Sequence, residues 1–292
     1  MTGLRAIGEE REVRLGRDVI RYREVGSGPT LVFVHGLLTN GVLWKDVVPG
    51  LSGRFRCVVP DLPLGGHAVP MSPETDLSPR GVARLVADFM EALDLRDVTL
   101  VGNDTGGAIC QLVITEHPGR IGRLVLTNCD AYEAFLPWQL GIFQHGPRLL
   151  GAPFVGALAW VLRARPAQRL LLKLVAKRRM DEDTLDAYFA NVTGNPGVRR
   201  DLTRFLQKIS RRYTLEAARR FPGFQNPVLI VWGEDDPFFL SRYAWRLERD
   251  FPDATLRFLS GSRAFVPVDR PETLAEHVAD FVRPRSGTGT AR

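Results

Sequence analysis

The turn around Asp104 carries the residue types that nucleophilic chemistry requires. An apolar, β-branched run from Val98 to Val101 ends in Gly102-Asn103-Asp104-Thr105-Gly106, and a helical pattern starts directly after it. A strand that turns into a helix this sharply holds its apex residue in a strained conformation and needs small residues on both sides. The apex side chain then points out above the strand ends, beside the positive end of the helix. The spacing therefore predicts that Asp104 is an acidic nucleophile.

Two other interpretations of this turn are weaker. Asp is a good N-cap, so Asp104 could simply cap the following helix, but a cap does not need the flanking glycines. A dinucleotide phosphate turn requires G-x-G-x-x-G, whereas the glycines here fall as G-x-x-x-G-G and a carboxylate stands where a pyrophosphate would lie. We therefore favour a functional apex and expect no bound cofactor.

Strands and helices alternate on both sides of this turn. A hairpin is predicted at residues 12–25, and continuous apolar runs such as Thr30–Val34 and 227–233 are typical of strands buried in a parallel sheet. From residue 131 to about 221 only helical periodicity appears. The pattern predicts an α/β protein, a mostly parallel sheet flanked by helices, with a helical lid inserted after the strand that ends at Asn128.

These features together resemble the α/β-hydrolase fold over roughly residues 13–282. The resemblance rests on His35-Gly36 after an early strand, the turn at Asp104, Gly233-Glu234-Asp235-Asp236-Pro237 after a late strand, and the helical insertion. An Asp at the turn is similar to the branch that contains haloalkane dehalogenases and epoxide hydrolases. The implied organisation is a core of residues 1–130 and 223–283, a lid of residues 131–222, and a disordered tail of residues 284–292.

The resemblance also implies roles for individual residues. Asp104 would attack an sp3 carbon and form an alkyl ester, which divides one difficult displacement into two easier steps. The backbone N–H groups of Leu37 and Thr105 would form the oxyanion hole. Asp236 would be the third member of the triad, with Asp235 as the fallback, although either could instead cap a nearby helix.

The base that this family uses is missing from its expected position. The loop that should supply a His reads Ser260-Gly-Ser-Arg-Ala-Phe-Val-Pro-Val-Asp-Arg-Pro-Glu272, and Ala264 occupies the position. Either Ala264 is an engineered change that traps the ester, or it belongs to a natural subgroup that works differently; we favour the second. His67, in the loop after the second parallel strand, is a candidate for a replacement imidazole, although an exposed loop His is the simpler interpretation.

The leaving-group partners are atypical as well. Thr105 stands where dehalogenases have a halide-binding Trp, and Leu37 replaces their halide-binding Asn, so a haloalkane substrate is less well supported than an epoxide. Epoxide hydrolases use two lid tyrosines as acids. Tyr188 and Tyr213 lie in the lid region, but no motif distinguishes them from packing residues.

Composition restricts the remaining possibilities. The chain of 292 residues is 45% hydrophobic and can bury a large core. Its three cysteines show no metal-type spacing, so we expect no metal site. The N-terminus lacks an apolar core and no apolar stretch is long enough to span a bilayer, so we expect a cytoplasmic protein with no membrane partner.

The net charge of +6 is unevenly distributed. Residues 131–222 contain sixteen Lys and Arg against seven Asp and Glu. The simpler interpretation is a set of solvated basic helix faces; the sharper one is attraction of an anionic small-molecule substrate. Basic residues are not interleaved with stacking aromatics, so nucleic acid is not expected as a partner. The pattern leaves the oligomeric state open.

Three functions remain compatible with these residues. The leading hypothesis is an enzyme with Asp104 as nucleophile on an electrophilic carbon, stalled at the ester stage if no base replaces the missing His. The second is a non-hydrolytic lyase, isomerase or cyclase in which Asp104 acts as an acid or base. The third is a catalytically silent scaffold that binds a small molecule beneath the lid.

Overall fold

The computed structural model describes residues 7–136 and 138–283, so the predicted disordered tail of residues 284–292 lies outside the described residues. A single eight-stranded sheet runs through the core in the order β1-β2-β4-β3-β5-β6-β7-β8. The strands are β1 Glu9–Leu15, β2 Asp18–Val25, β3 Thr30–Val34, β4 Arg56–Pro60, β5 Val98–Asp104, β6 Ile121–Cys129, β7 Val228–Gly233 and β8 Ala254–Leu259.

The sheet confirms the mostly parallel arrangement. β1 and β2 form the predicted antiparallel hairpin, β2 pairs antiparallel with β4, and β3 to β8 pair in parallel. Every residue of β7 is buried, as expected for a strand covered by helices on both faces. Because parallel strands end at one edge, the carboxyl ends of β3, β5, β6 and β7 lie side by side, and the site is built there.

Twelve α-helices are described. They are α1 Val48–Leu51, α2 Pro79–Ala92, α3 Thr105–Glu116, α4 Gly141–Leu150, α5 Ala152–Val161, α6 Arg165–Val175, α7 Glu182–Gly194, α8 Pro196–Lys208, α9 Arg211–Ala218, α10 Ser241–Asp250, α11 Val266–Asp269 and α12 Pro271–Val282. α2 begins as the sequence indicated, with Ser78 accepting a hydrogen bond from the Gly81 N–H and Pro79 in the first turn.

The insertion between β6 and β7 is helical in the part that the structure describes, apart from one isolated bridge between Ala131 and Ala134. It consists of α4 to α9 and two short 3-10 helices. Sequence reasoning did not predict α4, whose pattern is interrupted by Pro147 inside the helix. α9 packs against α3, so the end of the insertion returns to the flank of the core.

The lid is tied to the core by Asp269, which follows the loop around Ala264. Its Oδ1 accepts the backbone N–H groups of Lys177 and Arg178 at 2.7 and 2.8 Å, and its Oδ2 accepts the N–H of Arg263 at 2.9 Å. One carboxylate therefore joins the lid segment that follows α6 to the loop in which the family has its catalytic His.

Within residues 7–136 and 138–283 there is no helix long and apolar enough to cross a bilayer. The same residues hold no group of three or more His, Cys, Asp or Glu side chains placed to bind a metal ion.

Candidate active site

Asp104 lies at the apex of the turn between β5 and α3 in a strained conformation. Its φ is +55°, a left-handed value that non-glycine residues rarely adopt. The turn closes because its neighbours lack side chains: a Cβ on Gly106 would lie 2.4 Å from the carbonyl oxygens of Val34 and His35. A Cβ on Gly36 would lie 2.1 Å from Oδ2 of Asp104 itself. These two glycines let the carboxylate approach the end of β3.

The backbone N–H groups of Leu37 and Thr105 both act on the carboxylate. The Leu37 N–H donates a hydrogen bond to Asp104 Oδ2 at 2.9 Å. The Thr105 N–H makes no cap hydrogen bond to this side chain, but it lies close enough to lower its pKa. Burial raises the pKa of Asp104 to about 6, the two N–H groups lower it, and the charge of Asp236 raises it further. The geometry thus brings together Asp104, Leu37 and Thr105, the three residues that the sequence singled out at this turn.

Asp130 is a buried carboxylic acid that sequence reasoning missed. It follows the end of β6, accepts the Thr105 hydroxyl on Oδ2 at 3.0 Å and accepts the Leu136 N–H on Oδ1 at 2.7 Å. Burial raises the pKa of Asp130 well above its usual range, and the nearby charge of Asp104 raises it further. The available signal was its position: β5 and β6 are parallel neighbours, so a carboxylate just after β6 must lie near the apex of the turn.

Asp236 and Asp235 differ completely in environment. Asp236 is buried and accepts the Asn128 side-chain N–H at 2.8 Å and the Phe238 backbone N–H at 2.9 Å. Burial raises the pKa of Asp236 to about 6. Asp235 is exposed and forms an ion pair with Lys177. Of the two, Asp236 is the one whose charge reaches Asp104.

The loop at the expected base position is closely packed. Ala264 is fully buried, and its carbonyl oxygen accepts the Asn103 side-chain N–H at 2.7 Å. The neighbouring Phe265 donates its backbone N–H to the carbonyl of Val175 in the lid at 2.8 Å. The loop is therefore bonded both to the turn at Asp104 and to the lid, without an imidazole between them.

The two histidines near the strand ends are engaged elsewhere. His67 is buried rather than exposed, and its Nε2 lies 3.4 Å from Oδ2 of Asp201 on the lid helix α8. His35 accepts the Leu62 N–H at Nε2, with Nδ1 2.9 Å from the Gly36 carbonyl oxygen. Burial lowers the pKa of His35 to about 4, so its ring is neutral. The structure joins neither ring to Asp104 by a hydrogen bond.

Asp104 opens onto an almost entirely apolar cavity of about 70 Å³ beneath the lid. Its only polar lining residues are Thr39 and Asp104, and no histidine, tyrosine or basic residue lines it. The lining residues are Leu37, Leu38, Thr39, Asp104, Leu136, Leu140, Phe143, Leu171, Leu172, Leu174, Val175, Phe189, Phe238 and Phe265. Pockets for larger ligands span about 300 Å³ or more, so such a substrate requires the lid to move.

Tyr188 and Tyr213, the two lid tyrosines, are both buried away from this cavity. Tyr188 lines a separate space with Lys45 and Asp181, and its hydroxyl has no hydrogen-bond partner among the described residues. The Tyr213 ring lies under the guanidinium groups of Arg80 and Arg212. In this arrangement neither hydroxyl can protonate a leaving group bound at Asp104.

Comparisons with known proteins agree with this architecture. The family model described as the alpha/beta hydrolase fold matches residues 29–271. Haloalkane dehalogenase 2 of Mycobacterium tuberculosis is 27% identical over 278 residues, covering 93% of this chain and 94% of that protein. The cis-3-alkyl-4-alkyloxetan-2-one decarboxylase of Xanthomonas campestris is 28% identical over 281 residues, covering 88% and 89%.

A solved structure supports the fold independently of close sequence similarity. The epoxide hydrolase CorEH superposes with a TM-score of 0.79 at 17% identity, covering 94% of this chain and 98% of that one. At that identity the likeness shows the fold alone. The family model spans most of the chain and includes the turn at Asp104, and the chain belongs to the α/β-hydrolase fold family, a family of hydrolases.

Proposed function

We propose that Asp104 is the nucleophile of an enzyme that acts on an electrophilic carbon of a small, apolar organic molecule. The observation that carries this proposal is the Asp104 carboxylate itself, held at a strained apex, hydrogen-bonded by the Leu37 N–H, close to the Thr105 N–H and facing an apolar cavity. A carboxylate oxygen attacks the carbon and the leaving group departs, which produces an alkyl ester.

The Leu37 N–H can stabilise both the free carboxylate and the ester that forms from it. Oδ2 already accepts the Leu37 N–H, so the other oxygen is the one that attacks. In the ester Oδ2 becomes the carbonyl oxygen beside the Leu37 N–H, and any tetrahedral intermediate would place its negative charge there. Since the pKa of Asp104 is about 6, most of the side chain is ionised at neutral pH and ready to attack.

Release of the ester is where this chain departs from its hydrolytic relatives. Hydrolysis needs a base that activates water, and Ala264 supplies none. Asp236 is held by Asn128 and Phe238 and does not line the cavity. With haloalkanes or epoxides we therefore expect an ester that forms and then persists. The halide or alkoxide leaving group of those substrates would also depart without help, because the one hydroxyl among the lining residues, that of Thr39, already donates to the Gly36 carbonyl oxygen.

These two gaps favour a second candidate function, the decarboxylative opening of a four-membered lactone. The Xanthomonas campestris relative is named for such a reaction on alkyl-substituted oxetan-2-ones. Asp104 would attack the sp3 ring carbon, the ring C–O bond would break, and the ring oxygen would leave as part of a carboxylate. Loss of CO2 would then supply the electron pair for a new C=C bond while the Asp104 carboxylate departs.

This cycle balances without water, base or external acid. It starts with the lactone and ends with an alkene, CO2 and a regenerated Asp104 carboxylate. The leaving carboxylate is stable without a proton, so no hydroxyl donor is needed. A dry, apolar cavity without a basic residue also favours loss of CO2 over persistence of the anion.

Intact-mass measurement separates the two candidates and tests the proposal. The protein is incubated with an alkyl halide, an alkyl epoxide and a dialkyl oxetan-2-one, and adducts and headspace CO2 are recorded. We expect a stable adduct with the epoxide or halide if Asp104 is a stalled hydrolytic nucleophile, and alkene plus CO2 with the lactone if it is a lyase. Both signals should vanish in Asp104→Asn and persist in Asp235→Asn, the matched control on the exposed carboxylate.

Two outcomes would remove the proposal. An adduct or product that survives in Asp104→Asn would place the reactive group elsewhere. If no compound reacts while the protein still binds them equally well in both variants, the chain acts as a small-molecule-binding scaffold.

A further inference from the structure

The first half of the lid has a composition that no other part of the chain shares. Residues 134–180 contain eight Lys and Arg and no Asp or Glu at all. Acidic residues reappear at each border, at Glu133 and Asp181. This segment of forty-seven residues has no negative charge of its own. Arg165, Arg169 and Lys177 form ion pairs with acidic side chains outside it, so part of its charge is cancelled. The remaining basic side chains, Arg163 and Lys173 among them, keep the potential of this surface positive. The cavity beneath the lid uses none of these charges, since no basic residue lines it.

The same segment exposes most of the large apolar side chains. Across the described ranges nine large hydrophobic residues are exposed, and seven of them fall in this segment. We group them as the lid face: Ile142, Leu149, Leu150, Trp160, Val161, Leu170 and Leu174. Within it α4 packs against α5, and α6 meets α4 at the cavity that Phe143 and Leu174 both line. Leu149 is 83% exposed and Trp160 is 70% exposed, which is far beyond what the edge of a core requires. Exposed apolar clusters of this kind mark interaction surfaces.

Helical spacing places these side chains on the outer sides of their helices. In α5 the exposed residues Pro153, Ala157, Trp160 and Val161 follow i, i+4, i+7, i+8, and the helix carries no charged residue. In α4 the exposed apolar residues Ile142, Leu149 and Leu150 have the spacing i, i+7, i+8. Both helices pack against α8, so their exposed sides turn away from it.

α6 adds positive charge to the apolar surface. Its exposed side carries Leu170 and Leu174 next to Arg169 and Lys173. The end of the helix borders an open cleft of about 370 Å³, and the basic residues that line it are Arg169, Lys173, Lys177, Arg178 and Arg179. Basic and apolar side chains on one helix surface are the combination found in helices that lie at a membrane surface.

We propose that the lid face docks on the surface of an anionic lipid bilayer. The acyl chains of such a bilayer can bury Trp160 and Leu149, and its anionic headgroups can pair with the surrounding Lys and Arg side chains. A second copy of the chain would bring an equally positive, acid-free surface and would be repelled. This interaction is peripheral, in keeping with the described helices, none of which could cross a membrane. It replaces the sequence-based expectation of no membrane partner, which considered only spanning segments.

The position of Leu174 connects the lid face to the site. Leu174 is 41% exposed on the lid face and also lines the cavity of Asp104. An apolar substrate dissolved in the bilayer would therefore meet the mouth of the cavity without crossing water. This consequence rests on the proposed function, whereas the docking itself does not.

Vesicle sedimentation with the full chain tests the docking. The wild-type protein is mixed with vesicles of phosphatidylcholine alone and with vesicles that also contain phosphatidylglycerol. We expect binding to the mixed vesicles that is about tenfold or more tighter than to phosphatidylcholine alone and that weakens as salt is added, since each basic residue near an anionic surface contributes roughly fivefold. Trp160 fluorescence should shift to the blue on binding.

Two double variants separate the contributions, and each has a matched control. Arg163→Glu with Lys173→Glu should weaken binding about tenfold or more, while Arg14→Glu with Arg17→Glu, in the exposed hairpin, should not. Leu149→Ser with Trp160→Ser should abolish binding and the fluorescence shift, while Trp245→Ser, an exposed Trp outside the lid face, should retain both. Unchanged circular dichroism and melting temperature confirm that each variant is folded.

Adduct formation at Asp104 with a water-soluble reagent is measured on the same variants. The lid-face variants should react as the wild type does, so that their loss of vesicle binding reports on docking and not on the proposed function. The proposal is overturned if the wild type ignores mixed vesicles or if the lid-face variants bind like their controls. It is also overturned if sedimentation shows a wild-type dimer that these variants disrupt, since the occupant would then be a second copy. Retention on poly-glutamate without vesicle binding would assign the surface to an acidic protein.

Discussion

The turn at Asp104 and the loop at Ala264 lie side by side, joined through the hydrogen bond from Asn103 to the Ala264 carbonyl, yet they offer a substrate very different chemistry. The turn presents a carboxylate that accepts the Leu37 N–H, with the buried acid Asp130 nearby. The loop presents a buried methyl group and a backbone bonded to the lid. The half of the site that we propose to form a covalent bond is therefore complete, and the half that would bring water to that bond is not.

Under the proposed mechanism, the step that forms the ester and the step that hydrolyses it depend on different segments of the fold. Strand ends, hydrogen bonds and packing hold the turn, the loop and Asp236 in place without an imidazole at position 264. What the chemistry becomes then depends on single side chains. The following predictions test each half.

Gly36→Ala should damage the complete half most strongly. A Cβ at this position would lie 2.1 Å from Asp104 Oδ2 and would push the carboxylate away from the Leu37 N–H. Because losing one such donor costs about 10²–10³ in rate, we expect adduct formation or turnover to fall by about that factor. The measurement is the rate of mass increase with reagent in excess. Gly53→Ala, where a Cβ meets nothing within 4 Å, is the matched control and should react normally.

Ala264→His should repair the incomplete half. If an imidazole at this position can reach the ester, release of the alkyl group by water should accelerate by about 10²–10⁴, the range for general base catalysis. The experiment forms the adduct, removes excess reagent and follows loss of the added mass. Ala264→Gln, of similar size but without a basic ring, controls for packing. An adduct equally stable in the wild type and in a folded Ala264→His variant would contradict a stalled hydrolase and leave the lyase candidate.

The pH dependence of adduct formation should report the ionisation of Asp104. Attack requires the carboxylate form, so the rate should rise with pH through a midpoint near 6, the value to which burial raises this pKa, and then level off. Asp236→Asn should move the midpoint to lower pH because it removes a nearby negative charge. Asp130→Asn should move the midpoint less than Asp236→Asn does, since burial raises the pKa of Asp130 well above its usual range and disfavours its charged form. An identical pH midpoint in the wild type and in Asp236→Asn would show that the two carboxylates do not interact.

Asp130→Asn should produce the smallest effect, a gain in stability that depends on pH. The pKa of Asp130 is raised in the folded state above its unfolded value of about 4, so the folded protein binds a proton that the unfolded chain releases. Its contribution to stability is complete below about pH 4 and is lost as pH rises towards the folded pKa. We therefore expect the variant to melt a few degrees higher than the wild type at about pH 8 and to gain less at about pH 5.

An exposed carboxylate serves as the control for this measurement. Asp88→Asn, on the outer side of α2, should not change the pH dependence of melting. Equal melting curves for Asp130→Asn and the wild type at both pH values would mean that folding does not raise the pKa of Asp130.

Much of the arrangement was predictable from the sequence because it follows from local rules. The small residues around Asp104 and the apolar run before it restrict the backbone within a few residues, so the turn from strand to helix and the parallel strands were predicted and are confirmed. The preference for Asp236 over Asp235 remains a prediction, although only Asp236 is buried beside the site. The absence of an imidazole at Ala264 was also visible directly.

Other features depend on distant segments of the chain, and no local pattern encodes them. Whether His67 faces Asp104 or Asp201 depends on how α8 of the lid lies across the core, and the structure pairs it with Asp201. Asp130 became a partner of Thr105 only through the pairing of β5 with β6. The lid face is another such case. Its seven residues are visibly apolar in the sequence, but only the packing of α4 and α5 on α8 decides that Leu149 and Trp160 are exposed to solvent. The local sequence thus determined the position of Asp104 at the turn. The burial and the charges around it depend on the whole fold and were decided by the tertiary structure.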